Sequence, residues 1–320
     1  MASPSPPTLP LADGPTPLGS FADPIVVDPD PRLLAALAAA YRDAAPEAVD
    51  PGLDALRTAA RAEGDPLSPV ADLPTLTVLA GDRAVDALTD WFRPASRLAA
   101  LVEAGAWDLR TLAEPQPNAV LAGRSDGCVL VGAAGERDGD REHEAERDGD
   151  REHEAERDGD REHDTWCRIG ADATLRERYD ALLAEGEAVR LRTPSRHRLY
   201  GALRGRCGGA VADEAVRLLD VDRGAGGPLD RGGARVRTYA AGARRGALDR
   251  DLRRACEDAG IGSSATFTRI KRELTDAGLV ETEPVSQPVG RPRQRLVARG
   301  ALADGASPSE AVAALRKTGI

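Results

Sequence analysis

The stretch SSATFTRIKRELTDAGLVETE (263–283), followed by VGRPRQRL (289–296), decides the fold of the C-terminal part of the chain. Its first residue, Ser263, is of the type that caps helices. Apolar residues then recur at spacings of three and four, as on the buried face of a helix: Phe267, Ile270 and Leu274. Gly278 ends this helix, because glycine readily adopts the left-handed conformation found at helix C-termini. The pattern therefore predicts a helix over 264–277.

A second helix precedes this one and a hairpin follows it. ALDRDLRRACEDAG (247–260) carries its apolar residues on one face and ends at Gly260. LV at 279–280 starts a strand, and RLV at 295–297 supplies the strand that returns beside it. Helix, turn, helix and a two-stranded wing predict a winged helix-turn-helix domain, whose second helix enters the major groove of DNA.

Two sets of side chains in this domain are candidate DNA contacts. The outer face of the second helix carries small hydroxyl and basic residues that can approach bases or phosphates: Ser264, Thr266, Thr268, Arg269, Lys271 and Arg272. Prolines and Gly290 shape the wing tip, so that arginines of the wing can enter a narrow minor groove: Arg291, Arg293 and Arg295. The alternative interpretation is a winged-helix interaction module that contacts basal transcription proteins without specific DNA readout.

The charge of the chain is unevenly distributed. The formal net charge is -10, but ERDGDREHEA (136–145) recurs at 146–155 and returns in altered form at 156–165, each copy with five acids and two arginines. Without these three copies the other 290 residues carry a net charge of only -1. Residues 231–299 hold 15 Arg or Lys against 8 Asp or Glu. A basic module on a nearly neutral body is typical of a nucleic-acid-binding protein.

The N-terminal part alternates strand and helix. PIVVD (24–28) and TLTVLAGD (75–82) are apolar, β-branched runs with helical patterns between them, which predicts a parallel βαβ core. Four shorter runs predict further strands and hence a mixed α/β sheet: WDLRTLAE, NAVLAGRS, CVLVGAAG and TWCRIGAD. Asp28 and Asp82 follow the first two strands, where carboxylates can line a ligand crevice. In the alternative interpretation, Asp30 and Asp82 cap the helices that come next. Capping is the favoured interpretation.

These patterns predict the following organisation: a disordered Pro-rich tail (1–20), an α/β regulatory domain (21–194) with the acidic repeat inserted at 136–165, a helical linker (195–227), a winged-helix domain (228–300) and a C-terminal helix (301–320). Glycines are frequent in 224–246, and each interior glycine costs a helix about 1 kcal/mol relative to alanine, so we expect the first helix of the winged-helix domain to fray. The last helix opens with the capping box of Ser307 and Glu310, and it either forms a dimer contact or packs on its own domain.

Several classes of function find little support in the sequence. The four cysteines lie far apart without a C-x-x-C pair, which favours buried free thiols over a zinc site or a disulfide scaffold. His197 is the only histidine outside the repeats, and we find no dinucleotide, Walker, zincin or nucleophile-elbow motif. We therefore expect no enzyme activity, no catalytic residues, no metal and no cofactor. The first residues lack a signal peptide and no apolar run approaches 18 residues, so a soluble, cytoplasmic protein without membrane contact is expected.

The segments SSATFTRIKRELTDAGLVETE and VGRPRQRL resemble the TbsP family of haloarchaeal transcriptional regulators. The similarity is strongest over 247–300, and the order of elements from Phe21 to about Pro194 is also similar. It implies a sequence-specific regulator that acts at promoters, with an N-terminal domain that looks like the sensing domains of archaeal sugar-responsive regulators. We therefore expect the protein to bind double-stranded promoter DNA as a homodimer, with a small-molecule effector or a basal transcription protein as a further partner. The resemblance assigns DNA contacts to matching positions: Thr266, Thr268, Arg269, Arg291 and Arg293. The acidic repeat departs from the family pattern, as does the glycine-rich stretch at 224–246.

Overall fold

A computed structural model of the chain describes residues 6–11, 14–131, 165–170, 174–221, 233–287, 292–304 and 307–317. These residues form an N-terminal α/β part and a C-terminal part of helices with a two-stranded hairpin. Most of the acidic repeat and the wing residue Arg291 lie outside the described residues. The fold class expected from the sequence, a mixed α/β domain followed by a winged helix, is confirmed.

The N-terminal part is built on one mixed sheet of eight strands in the order β2-β1-β8-β7-β6-β3-β4-β5. The strands are β1 (Thr8–Leu11), β2 (Gly14–Pro17), β3 (Ile25–Val27), β4 (Leu76–Ala80), β5 (Trp107–Thr111), β6 (Val120–Ala122), β7 (Gly127–Val131) and β8 (Thr165–Gly170). β3, β4 and β5 run parallel, as the βαβ pattern predicts, whereas β6 pairs antiparallel with both β3 and β7. β3 and β4 are almost wholly buried because they lie in the interior of the sheet.

Helices surround this sheet and begin where the sequence provides suitable N-terminal residues. They are α1 (Pro31–Ala44), α2 (Pro46–Val49), α3 (Leu53–Ala59), α4 (Ser68–Ala71), α5 (Asp82–Thr89), α6 (Phe92–Glu103) and α7 (Leu175–Glu185). Asp30 caps α1 as predicted, since its Oδ1 accepts the Leu33 N–H at 2.7 Å and Pro31 takes the first helical position. The predicted cap at Asp82 is wrong, because Gly81 is the N-cap of α5 and Asp82 is its first residue. Asp28 accepts the Gln116 N–H at 2.7 Å and so fixes the loop after β5.

Residues 8–11 and 14–20 differ from the predicted disordered tail. β1 and β2 pair antiparallel at the edge of the sheet, and β1 meets β8 through Leu11 and Trp166. Proline is tolerated there because an edge strand leaves some of its N–H positions without a partner strand. Leu9 and Leu18 are buried, and this apolar contact with the sheet provides the stabilisation that the local sequence pattern does not reveal.

The C-terminal part consists of α8 (Arg196–Cys207), α9 (Gly209–Leu219), α10 (Gly233–Arg244), α11 (Asp249–Ala259), α12 (Ser264–Asp276), β9 (Val280–Val285), β10 (Arg293–Ala298), α13 (Gly300–Asp304) and α14 (Pro308–Lys317). The helix pair α11 and α12 and the antiparallel hairpin of β9 and β10 are the predicted helix-turn-helix and wing. Leu248 pairs with Arg295 in an isolated antiparallel bridge, which joins the residue before α11 to the wing.

One hydrophobic core joins all the helices of this part. Residues 195–227 were expected to form a helical linker. The described residues of this stretch form α8 and α9, whose apolar side chains pack with α10, α11 and α12 in the same cluster. α14 begins with the predicted capping box, in which the Ser307 N–H donates to Glu310 Oε2 at 2.9 Å and the Glu310 N–H donates to Ser307 Oγ at 3.2 Å. Its apolar face is buried in the same core, so the helix packs on its own domain.

The described glycines of the first winged-helix helix do not fray it. α10 is continuous from Gly233 to Arg244, and its interior residue Gly242 is buried. A Cβ atom at this position would lie 2.3 Å from Cδ2 of Leu252, so the glycine allows α11 to approach α10 closely. The predicted fraying of this helix rested on the cost of glycine in a helix. That prediction left out the close packing that a missing side chain permits.

Polar contacts and an apolar side chain hold the two parts together. Arg196 is 3% exposed and donates through Nε to the Pro51 carbonyl at 2.9 Å and through Nη1 to Asp220 Oδ1 at 2.5 Å. Arg57 of α3 pairs with Asp213 of α9 at 2.6 Å. Leu56, next to it, belongs to the C-terminal core. These contacts fix the position of the sheet relative to the winged helix.

Candidate nucleic-acid interface

The start and end of α12 are fixed by local contacts. α11 ends at Gly260, whose left-handed backbone (φ 82°) turns the chain toward the next helix. Ser263 caps α12, since its Oγ accepts the Thr266 N–H at 3.3 Å, and Glu257 Oε1 accepts the Ser264 N–H at 2.6 Å. Gly278 (φ 69°) ends the helix. The predicted cap and both glycine stops are confirmed, so local sequence alone sets the length of this helix.

The side of α12 opposite the core presents a narrow row of small and basic residues. Ala265, Thr268, Arg269 and Arg272 follow at spacings of three and four and are all exposed. The side chain of Arg269 is 63% exposed, and its one ion-pair contact among the described residues is with Glu273 of the same helix at 3.8 Å. Arg272 forms no ion pair within the described parts of the chain. Ala265 was missed by the sequence analysis, although its spacing to Arg269 and Arg272 places it on this row.

Lys271 lies on the flank of α12 and is part of an internal network centred on Asp249. The Asp249 carboxylate, which is 4% exposed, accepts from Tyr239 Oη at 2.6 Å, Arg253 Nη2 at 3.1 Å and Lys271 Nζ at 3.2 Å. Burial, followed by the hydrogen bond to Asp249, raises the pKa of Tyr239, so its hydroxyl stays protonated as the donor. Lys271 therefore attaches α12 to α10 and α11 in the free protein.

Thr268 is exposed but is also hydrogen-bonded within the protein. Its Oγ1 donates to the Ser264 carbonyl at 2.9 Å and accepts from Arg253 Nη1 at 3.1 Å. Arg253 thereby connects Asp249 to the exposed row. This contact fixes the Thr268 side chain on the helix surface.

Ser264 and Thr266 are half-buried at the first turn of α12. The hydroxyl groups of Thr266 and Ser263 lie 3.0 Å apart. Because of its position along α12, Thr266 lies on a different face of the helix from Ala265 and Arg272. The structure thus separates the six predicted residues of α12. Thr268, Arg269 and Arg272 share the exposed row, whereas the other three lie at the start or flank of the helix.

The wing is anchored to the helices at its base. Leu296 is buried and its N–H donates to the Ala247 carbonyl at 2.9 Å. Arg293 and Arg295 are exposed, and Arg293 Nη1 lies 3.4 Å from Asp251 Oδ2 of α11. Arg295 has no carboxylate within ion-pair distance among the described residues. Both described arginines of the wing are therefore on an accessible surface.

Two basic residues of α11 are also exposed and were missed by the sequence analysis. Arg250 and Arg254 are four residues apart, exposed, and without an ion pair in the described ranges. Their i,i+4 spacing in RDLRR was the available signal, since it places both side chains on one face. The remaining arginine of that motif, Arg253, belongs to the Asp249 network.

A cleft lies between the two parts of the chain. Its volume is 480 Å³, and its walls include Trp91, Phe92 and Arg97 from the N-terminal part and Leu219 and Arg237 from the C-terminal part. A molecule bound there would contact α6, α9 and α10 at once. Within the described ranges, no group of three or more His, Cys, Asp or Glu is arranged to hold a metal ion. All four cysteines are free, and two of them are buried.

Two family models match the chain. The model described as "Transcriptional regulator TbsP-like, N-terminal" matches residues 43–147. The model described as "Transcriptional regulator TbsP-like, C-terminal HTH domain" matches residues 195–316, so it begins with α8. Searches of curated proteins and of solved structures give no match. Among the helices of the described residues, none is long and apolar enough to cross a membrane.

Proposed function

The chain belongs to the TbsP-like transcriptional regulators, and we propose that it regulates transcription by binding double-stranded promoter DNA sequence-specifically. The observation that carries this proposal is the exposed row of α12, where Arg269 and Arg272 face solvent beside the small residue Ala265. Arg272 forms no ion pair among the described residues and Arg269 has a solvent-exposed contact with Glu273 at 3.8 Å, so both guanidinium groups are accessible to an anionic partner. A row one helix face wide matches the width of the major groove.

In this proposal α12 is the recognition helix. Ala265 permits close approach at the N-terminal end of the row, and Arg269 and Arg272 reach base edges or phosphates. Thr268, held by Arg253, offers a fixed hydroxyl beside them. Lys271, Ser264 and Thr266 support the helix from its flank and first turn, and they remain candidate phosphate contacts through small side-chain movements.

The wing provides the second set of contacts. Arg293 and Arg295 project from β10, and Arg291 precedes them outside the described residues. Guanidinium groups at this position favour a narrow A·T-rich minor groove, where the negative potential is enhanced. Asp251 competes with DNA for Arg293, so this residue exchanges one anionic partner for another on binding.

The N-terminal part is proposed to modulate this binding. Two structural observations support this. Arg57, Arg196 and Leu56 join the N-terminal part to the C-terminal core. A cleft of 480 Å³ is lined by residues of both parts. A small-molecule effector or a basal transcription protein that contacts the cleft would alter the junction. A homodimer remains a prediction that light scattering on the purified protein would check.

Selection from a random duplex library tests the proposal. Purified full-length protein is used to enrich binding sequences, and its affinity for an enriched duplex is compared with that for a shuffled duplex at equal salt. We expect a clear preference for the enriched duplex. Arg272→Ala should weaken binding by about 1–3 kcal/mol if the side chain reads a base, or lower the salt slope by about 1 if it contacts a phosphate.

The matched control is Arg32→Ala, an exposed residue of α1 that removes the same charge away from the interface. This variant should bind as the wild type does. If no sequence preference emerges and Arg272→Ala behaves like Arg32→Ala, specific DNA readout is contradicted. That result would favour the alternative, a winged helix that contacts basal transcription proteins.

A further inference from the structure

A second cleft, of 460 Å³, is lined by α5, by the segment that leads from α7 into α8, and by α10. Three aspartates line it from α5 and its C-cap, and their spacing of four residues places them on one face: Asp82, Asp86 and Asp90. Three arginines line it from the other two elements: Arg190, Arg192 and Arg235. One element therefore contributes only negative charge to the cleft, and the other two contribute only positive charge.

Most of these charges do not neutralise one another directly. Asp82, Asp86, Arg190 and Arg192 form no ion pair within the described parts of the chain. Each of the two carboxylates therefore lies more than 4.0 Å, the limit for an ion pair, from the guanidinium groups of the cleft. Opposite charges that line one cleft without touching leave room for a molecule that contacts both.

The basic side of the cleft is held by the rest of the fold. The segment before Arg192 pairs with the edge strand β5, where the Val189 N–H donates to the Leu109 carbonyl at 2.9 Å. Arg235 of α10 donates through Nε to the Ile261 carbonyl at 2.7 Å, in the turn between α11 and α12. A ligand that contacts both arginines would therefore connect the N-terminal sheet with the turn before α12.

The mixture of charges disfavours a ligand that carries only one kind of charge. The aspartates repel a free anion or a DNA phosphate, and the arginines repel a metal ion or a simple amine. The three aspartates do not make a metal site, since no group of three such ligands among the described residues is arranged to hold an ion. A molecule with one positive and one negative group is attracted by both sets. The volume of 460 Å³ lies in the range of small-molecule pockets, about 300–1,000 Å³.

We propose that this cleft binds a small zwitterion of the amino-acid class, with its ammonium group on Asp86 and its carboxylate on Arg192. A guanidinium group suits a carboxylate because it donates two parallel hydrogen bonds. Val85 and Leu191 line the same cleft and offer apolar contact to the methylene groups between the two charges. The inference adds a ligand class to the proposed modulation of DNA binding, and only its effect on DNA rests on the proposed function.

The test begins with a thermal-shift screen of full-length protein against the protein amino acids and a series of ω-amino acids that includes 4-aminobutyrate. Tris chloride replaces the usual zwitterionic buffers, which would compete for the cleft. The best binder is then titrated by calorimetry beside the matched molecules that lack its amino or its carboxyl group, as butyrate and butylamine do for 4-aminobutyrate. We expect the zwitterion to bind about tenfold or more tightly than either, since each loses one charge-assisted hydrogen bond.

Two variants test the two sides of the cleft separately. Asp86→Asn and Arg192→Ala should each weaken binding of the zwitterion by about tenfold or more. The matched controls are Asp72→Asn and Arg32→Ala, which change the same charges at exposed positions outside the cleft and should bind as the wild type does. Circular dichroism should show that all four variants unfold at the wild-type temperature without ligand.

The possible outcomes separate this inference from the proposed function, because ligand binding is measured without DNA. The inference fails if no zwitterion of the screen binds, or if Asp86→Asn and Arg192→Ala bind it as their controls do. Butyrate or inorganic phosphate that binds as tightly as the zwitterion and is lost in Arg192→Ala would overturn it in favour of an anion site. In each of these cases a sequence preference in the duplex selection leaves the proposed function standing, and a failed duplex selection leaves the ligand result unchanged.

Discussion

Replacing Gly242 by alanine tests whether the close contact of α10 and α11 holds α12 in place. The added Cβ would lie 2.3 Å from Cδ2, 3.1 Å from Cδ1 and 3.2 Å from Cγ of Leu252, which is wholly buried. Overpacking of this kind typically costs about 1–3 kcal/mol. The same substitution also gains about 1 kcal/mol of helix propensity, which has to be separated from the packing cost.

Gly201→Ala provides that separation. Gly201 lies inside α8 and is exposed, and a Cβ atom added to it would have no neighbouring atom within 4 Å. This variant should therefore gain about 1 kcal/mol from propensity alone. Gly242→Ala should be less stable than Gly201→Ala by the overpacking cost, about 1–3 kcal/mol, in urea unfolding followed by far-UV circular dichroism. Equal stability of the two variants would refute the close packing of α10 on α11.

The Gly242 substitution also has a functional consequence. α10 carries Tyr239, whose ring stacks on Phe267 of α12 with 6.0 Å between the ring centroids. We expect a displaced Leu252 to shift the stacked rings of Tyr239 and Phe267. DNA affinity should therefore fall in Gly242→Ala and remain unchanged in Gly201→Ala. Measuring both variants on one duplex distinguishes a packing effect from a general change in helix stability.

Three further predictions concern other parts of the chain. Asp249→Asn removes the negative charge that holds Arg253 and Lys271. The free energy of unfolding, measured in urea, should therefore fall by about 1.5–3 kcal/mol. An unchanged unfolding midpoint would contradict the network around Asp249. Burial raises the pKa of the Cys207 thiol to about 11. Its reaction rate with a thiol reagent should therefore rise about tenfold per pH unit from pH 8 toward pH 11, because the thiolate is the reactive form. A plateau of this rate below pH 9 would contradict the prediction. Deletion of 136–165 should leave the thermal transition and DNA binding intact, because the repeat is charged and almost free of apolar residues; a lost transition would overturn this prediction.

The elements that sequence analysis predicted well are those with local signals. Ser263, Gly260 and Gly278 set the limits of the helix-turn-helix because a cap or a left-handed turn depends on few neighbouring residues. The capping box of α14 and the N-cap of α1 follow the same rule. The wing was predicted from two short apolar runs on either side of a Pro- and Gly-rich connection, which is also a local pattern.

The elements that it missed depend on contacts between distant segments. The strands at residues 8–17 form because an existing sheet edge buries Leu9, and no periodicity within a Pro-rich stretch reveals that edge. Lys271 resembles any other basic residue of α12 until Asp249, 22 positions earlier, is found beside it. Arg192 and Arg235 likewise line one cleft only because the two parts of the chain pack together.

Recognition of promoters by the exposed row of α12 can be tested in the cell by genome-wide chromatin immunoprecipitation in the native host. The experiment compares the wild type with the Arg269→Ala/Arg272→Ala double variant. Arg32→Ala serves as the charge-matched control on the N-terminal part. We expect wild-type and control peaks at a limited set of promoters that share a sequence, and we expect those peaks to be lost in the double variant. Peaks that persist at the same promoters in the double variant would contradict recognition by the exposed row of α12.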